Sequence, residues 1–202
     1  MIRFYEDEWH HKKDICKSLI RDAIGFYGRE IKAKDCIIKS IQLPTYIEFL
    51  NTNHIHGFAY APITLGLYYK NELVYVIGVK DFNGQYILNR ICSKLYTFVK
   101  DALKELLKEL KEKYKIKNII TYADRRTADI KVYEAAGFKL ITTTKPEYFY
   151  VVRGERIGIY DSDRLPDILK HYDPELSDEE NLHLNGYDRI FDCGKYMMQK
   201  NL

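Results

Sequence analysis

Between Ile63 and Lys80 apolar residues run at strand density on either side of Lys70-Asn71-Glu72, which predicts a hairpin of Ile63–Tyr69 and Leu73–Lys80. Asn83-Gly84 is a strong turn signal, so Tyr86–Cys92 is predicted as the next strand back. From Lys94 to Tyr114 the period changes: Leu and Val recur at helical spacing with charges opposite, predicting the longest helix. Ile119–Tyr122 then reads as a buried strand, followed by a polar turn that carries Asp124. A helix with Ile130, Tyr133 and Ala136 on one face comes next, and Gly137 stands where a left-handed C-cap belongs before a second strand.

Upstream, Ile2–Tyr5 predicts a short strand, and Asp7 is a candidate N-cap for a helix through Ile24 with Trp9, Ile15, Leu19 and Ile20 among its apolar contacts. Arg29–Asp35 reads as a charged connector, Cys36–Leu43 as a strand and Pro44–Asn53 as a short helix. His54–Pro62 is a loop punctuated by Gly and Pro. Glu147–Arg153 predicts a further strand, Asp161–Glu180 an acidic loop or short helix, and the end a turn at Asn185-Gly186 with a terminal strand. This order predicts an α+β fold, a mixed and mostly antiparallel sheet flanked by helices. Residues 1–35 form an N-terminal appendage, 36–153 the main domain and 154–202 a C-terminal extension in this reading.

Composition adds limits. A net charge of +3 permits a nucleic-acid partner without requiring one. Tyrosine is abundant, 18 residues against 9 Phe, and serves either as strand filler or as a stacking surface for bases. Cys16, Cys36, Cys92 and Cys193 are scattered without zinc-ligand spacing, so no metal and reduced thiols are expected. No signal peptide and no apolar run of about 20 residues is present, so the expected compartment is the cytoplasm, with no membrane contact.

Candidate chemistry gathers around the Asp124 turn. Asp124 is either a base or orienting carboxylate, or the N-cap of the following helix. Tyr133 is either a general acid or a core tyrosine. His54 and His56, two residues apart beside Gly57, offer imidazoles for a proton, a phosphate or a metal. Arg90 would face a phosphate or base edge, or pair with Asp124. Arg125, Arg126 and Lys131 make the better nucleic-acid patch. The lysines interleaved with Glu105, Glu109 and Glu112 read mainly as a solvated helix face. The acidic and histidine residues Glu6, Asp7, Glu8, His10 and His11 read as a charged helix start.

Residues 36–152, with the hairpin LGLYYKNELVYVIG, the strand ILNRICSK and the run TYAD…VYEAAGFKL, resemble a GCN5-related N-acetyltransferase (GNAT) domain. Within that superfamily, His54, Leu88-Asn89-Arg90, Tyr122-Ala123-Asp124 and Tyr133 are similar to the motifs of Mom-type DNA modification proteins of phages. A longer similarity, through IRFYEDEWHHKKDICKSLI, FLNTNHIHG, YADRR, KPEYFY and NGYDRIFDCG, is to phage and mobile-element homing endonucleases that join a very-short-patch-repair-like nuclease to a GNAT-like half. The resemblance implies His54, Asp124 and Tyr133 as catalytic residues and acetyl-CoA or another acyl-CoA as donor. The nuclease core lies upstream of IRFY in such proteins, so this stretch alone is not expected to cut DNA. Lys100-Asp101 stands where those relatives carry Gly-Gly, and an aspartate at a helix start repels the anion that such a turn would hold.

Three functions follow as expectations: a DNA-recognition module, an acyl-CoA-dependent N-acyltransferase acting on a nucleobase or other amine, and a phage inhibitor of a host protein.

Overall fold

Lys70, Asn71, Asn83 and Gly84 all take positive φ (48°, 66°, 53° and 81°), and the two tight turns they make fold β3 (Ile63–Tyr69), β4 (Glu72–Phe82) and β5 (Gln85–Ser93) into an antiparallel meander. The computed structural model describes residues 2–152, 154–158, 163, 165–187 and 189–202. Strand β2 (Ile37–Ser40) extends the meander at one edge. At the other, β7 (Asn118–Asp124) runs parallel to β5, β12 (Lys195–Asn201) pairs antiparallel with β7, and β8 (Lys139–Thr143) closes the edge. The sheet thus has seven strands in the order β2-β3-β4-β5-β7-β12-β8, and the α+β class expected from the sequence is the one observed.

Period-two alternation assigns the two faces. Leu65, Leu67, Ile77, Val79 and Ile119 point to one side, where α4 (Ala102–Tyr114) covers them with Leu103, Leu106, Leu107 and Leu110. Those leucines sit at i, i+3, i+4 and i+7, the stripe that a helix lays on a sheet. Val76 and Cys92 point to the other side, against Tyr46, Phe49 and Leu50 of α3 (Leu43–Asn53). Gly78 belongs to that second face, and a β-carbon there would stand 1.9 Å from the Tyr46 hydroxyl, so the ring rests on bare strand.

Several local readings are corrected. Residues 2–5 form no strand, and the first helix is broken at Lys12 (φ −131°) into α1 (Glu6–His11) and α2 (Lys13–Ala23). Trp9 is exposed, with the Lys13 ammonium over its ring. The connector Arg29–Asp35 contains β1 (Arg29–Lys32), which pairs in parallel with β6 (Thr97–Lys100). The long helix therefore starts only at Ala102, because residues 97–100 are pulled into extended form by β1. Helix α5 (Ile130–Ala135) follows β7. Strands β9 (Tyr148–Val152), β10 (Glu155–Gly158) and β11 (Arg189–Phe191) make a small second sheet, with α6 (Leu165–Ile168) and α7 (Asp178–Leu184) beside it. Arg153, the end of one predicted strand, and residues 161, 162 and 164 of the acidic stretch lie outside the described residues. Residues 154–202, read as an extension, return β12 to the main sheet between β7 and β8. All four cysteines are free thiols. Among the described residues no helix is long and apolar enough to cross a membrane.

Candidate active site

The two parallel neighbours part company. β5 and β7 are paired only from Tyr86 to Leu88 and from Ile119 to Thr121, whereas β5 stays on β4 through Ser93 and β7 stays on β12 through Asp124. A bulge causes the divergence on the β5 side: Gly78 faces Arg90 and Val79 faces Leu88, leaving Asn89 as an extra residue that bends the strand. The carboxyl ends of parallel strands at a change of strand direction are where open sheets place ligands.

The loop from His54 to Pro62 is laid across that opening and tied to both strands. The Asn89 side-chain amide donates to the Tyr60 carbonyl (2.9 Å), and Arg90 Nε donates to the Gly57 carbonyl (2.9 Å). Gly57 takes φ +62°, and this turn carries His56 over the end of β7. His56 Nε2 lies 3.0 Å from Asp124 Oδ2. Burial opposes ionisation of Asp124, but the bond to His56, the Arg126 backbone N–H and the Arg126 charge overcome it and hold the carboxyl at about 2. An ionised carboxylate only accepts, so Nε2 of His56 donates, and in the neutral ring the lone pair falls on Nδ1. Asp124 is mostly shielded while the imidazole remains 39% exposed, which leaves an oriented base open to an incoming molecule.

Asp124 is itself held from below. Arg126 donates its backbone N–H to Asp124 Oδ1 (2.8 Å) and Nη2 to Asp124 Oδ2 (2.8 Å). The same guanidinium makes a fork to Glu8 of α1, Nη1 to Oε2 (2.9 Å) and Nη2 to Oε1 (3.1 Å). Glu8 also accepts from Arg156 Nη2 (3.1 Å), and Arg156 Nε donates to Asp7 (2.8 Å). The Tyr5 ring is clasped between the two guanidiniums, 4.3 Å from Arg126 and 4.0 Å from Arg156. Glu8 and Arg126 are only 3% and 4% exposed, so a buried ionic chain runs from the N-terminal helix and the β10 hairpin to the His56 ring. Among the described residues no group of three His, Cys, Asp or Glu could hold a metal ion.

The residues expected from sequence fall into place unevenly. His56, not His54, meets Asp124. His54 is turned inward, and its Nδ1 accepts the His56 backbone N–H (3.1 Å), so it props the loop from behind. Burial, then Arg90 and His56, push its pKa down to about 3. Tyr133 packs on the main core edge-to-face with Phe138, and burial followed by the Asp124 charge pushes its phenol up to about 12, so it stays protonated. Arg90 is half-buried and donates to the Gly57 and Asn89 carbonyls, and among the described residues it makes no bond to Asp124. Arg126 is withdrawn from any nucleic-acid surface by its carboxylate partners. Arg125 and Lys131 are exposed, and Arg125 lies over the Tyr196 ring (5.4 Å). Arg3, Arg125, Asp192, Cys193 and Tyr196 line a cavity of about 400 Å³ at this end of β7.

The turn between β5 and β6 keeps its amides to itself. The N–H groups of Lys94, Leu95, Tyr96 and Thr97 go to Val74 O, Asn53 Oδ1, Ser18 Oγ and Lys94 O. Asp101 caps the helix in the left-handed region (φ 62°) with no side-chain bond. A diphosphate therefore finds no free nest over residues 94–97.

His54 supplies a pH signature. Its folded-state pKa near 3 lies below the ordinary 6.5, so between those values the unfolded chain binds a proton that the native chain refuses. Stability from this group falls as pH drops through that window, by up to about 1.4 kcal/mol per pH unit. Asp22 acts the other way: burial raises its carboxyl from 3.8 to about 6, so its contribution falls as pH rises through that interval. In urea titrations the His54→Gln variant is therefore expected to gain about 2 kcal/mol on wild type between pH 7 and pH 4.5, whereas Asp22, unchanged in both, cancels. An equal pH response in the two proteins would contradict the neutral, inward His54.

No protein-family model and no curated protein matches the sequence. Among solved structures, the chain is similar to a GNAT family acetyltransferase from Elizabethkingia anophelis with acetyl-CoA bound, at 12% identity and a TM-score of 0.49 over 83% of this chain and 99% of that one. A Bacillus subtilis acetyltransferase in complex with CoA gives 14% identity and a TM-score of 0.49, again over 83% and 99%. The PaiA N-acetyltransferase from Thermoplasma acidophilum in complex with coenzyme A gives 14% identity and a TM-score of 0.42 over 98% of this chain and 80% of that one.

Proposed function

We propose that the protein is an N-acyltransferase in which His56, oriented by Asp124, takes the proton of an attacking amine. The observation that carries this reading is the His56–Asp124 pair at the parted ends of β5 and β7. Amine acylation needs a base that is unprotonated near neutrality, aimed at the nucleophile and partnered so that its imidazolium is steadied once formed. The ionised Asp124 aims the ring and partners it, and Nδ1 of the neutral imidazole is the atom that takes the proton. The bond that breaks leaves a thiolate, and Tyr133, which keeps its proton, is suited to supply one. The resemblance of the YAD turn and the tyrosine helix to GNAT motifs names an acyl-CoA as donor.

A nucleobase amine is the acceptor we favour. Tyr60 and Tyr122, 64% and 44% exposed, stand on the loop and strand that carry His56 and Asp124, and Arg125 lies on the same strand end. The second reading, a nucleic-acid-binding module without catalysis, draws on the same exposed Arg125 and tyrosines.

Thermal unfolding with acetyl-CoA tests the donor. At one hundred times the dissociation constant, mass action adds about 2.7 kcal/mol, roughly a 5–10 °C rise for a chain of this size. No rise, together with no acetyl transfer to nucleosides or oligonucleotides, would overturn the transferase. Salt-sensitive oligonucleotide binding in that case would leave the module.

A further inference from the structure

We propose that Glu8 is a positioning residue for the His56–Asp124 pair, acting through Arg126, so that the N-terminal helix is part of the site and not an appendage to it. The claim deepens the transferase reading and rests on His56 as its base.

Four atoms carry the argument. Glu8 Oε1 accepts from Arg126 Nη2, that nitrogen also donates to Asp124 Oδ2, and that oxygen is the one His56 Nε2 meets. One guanidinium nitrogen is thus divided between two carboxylates, and one carboxylate oxygen between a guanidinium and an imidazole. If Glu8 loses its charge, Nη2 shifts toward Asp124 and competes with the ring for Oδ2. The ring is then less firmly held with its proton on Nε2, and the lone pair on Nδ1 is no longer assured.

Glu8 is built to stay in place. It is 3% exposed, and its Oε2 accepts the Tyr5 backbone N–H (3.0 Å), so one carboxylate both caps α1 and grips Arg126. Arg156 steadies Oε1 from the far side, and Arg3 N donates to the Arg126 carbonyl (3.1 Å), which pins the chain ahead of α1 to the same residue. Lys12, at the break between α1 and α2, reaches the Ile55 carbonyl (2.5 Å) on the loop that carries His56. The other charged or titratable groups around the pair are His54, Arg90, Asp7 and Tyr133, and none of them stands between Glu8 and Asp124 in this bond chain.

Nitrogen-15 NMR of the His56 ring reads the effect without any turnover assay. In the wild-type chain above neutral pH the two ring nitrogens are expected to differ strongly in shift, as a fixed Nε2–H tautomer requires. In Glu8→Gln the two shifts draw together, and in an Asp124→Asn background the same substitution moves nothing further. Glu8→Asp, which keeps the charge for a chain that Glu8→Gln fails to fold, displaces the shifts in the same direction by less. Unmoved His56 shifts in a folded Glu8 variant, with only a lowered melting temperature, would reduce Glu8 to a structural residue and overturn the proposal. A Glu8 effect that persists without Asp124 would overturn it as well. A wild-type ring with no fixed tautomer would remove the base itself, and the transferase reading with it.

Discussion

Replacing Arg126 with methionine is expected to lower stability by about 3–5 kcal/mol at pH 7, the cost of leaving a buried charge without its partner. Glu8 is the residue that would bear it. Burial works against its ionised form, and the Arg126 fork with the Tyr5 amide reverses that, so its pKa lies below the ordinary range. Without Arg126, Glu8 keeps only Arg156 and the Tyr5 N–H, and Asp124 loses the guanidinium that shares its Oδ2. Because Arg156 remains, the lower half of the range is the better expectation. Arg126→Lys keeps the charge but cannot make the fork, and is expected to recover only part of the loss. The pair is shielded from solvent, so added salt should change the difference little, unlike the exposed Lys108–Glu105 pair on α4. A double variant that removes Glu8 and Arg126 together, with apolar residues in their place, should regain much of what the single change loses. A loss under about 1 kcal/mol by urea unfolding of Arg126→Met would mean that the network does not hold the N-terminal helix down.

What the sequence disclosed and what it hid follow from range. The meander was legible because turn chemistry is local: Lys70-Asn71 and Asn83-Gly84 announce hairpins whatever lies elsewhere in the chain. Helix α4 was legible from its leucine stripe, but its start was not. Leu95, Phe98 and Val99 fit helical spacing as well as they fit a strand, and β1, 68 residues earlier where Arg29 faces Thr97, decides for the strand. The seam at Lys12 was hidden for the reverse reason, since the apolar pattern continues through a break made by packing on the loop and on Leu95. Adjacent arginines were read as one surface patch. Both stand in the turn after β7, where Glu8 and Asp124 draw Arg126 inward, so only the exposed Arg125 was legible in the sequence. Choosing His56 over His54 was not: the Gly57 turn and the Arg90 bond to its carbonyl, 33 residues away, decide which ring reaches Asp124. Glu8 gave no sign beyond standing among other acids, because its partner is 118 residues distant.

His56→Asn is expected to lower acyl transfer by about 10²–10⁴-fold while leaving stability within about 1 kcal/mol of wild type. The side chain is partly exposed and among the described residues it bonds only Asp124, which Arg126 continues to satisfy from two donors, so little of the fold depends on the ring. The loss would fall on turnover: amine binding and donor binding do not need the imidazole, whereas accepting the proton does. Asp124→Asn should be nearly as damaging by a different route. Its amide can present a donor to His56 Nε2 or to Arg126, so the ring would turn its lone pair inward, and Arg126 would lose one of its two carboxylates, with a measurable drop in stability that His56→Asn does not share. His54→Gln separates the two histidines, since it props the loop and takes no proton in the reaction. It should therefore affect turnover far less than His56→Asn at pH 7. Equal losses in the two variants would mean that the loop's position, and not the His56 base, limits the reaction, and a fully active His56→Asn would show that the Asp124 end of β7 serves something other than proton transfer.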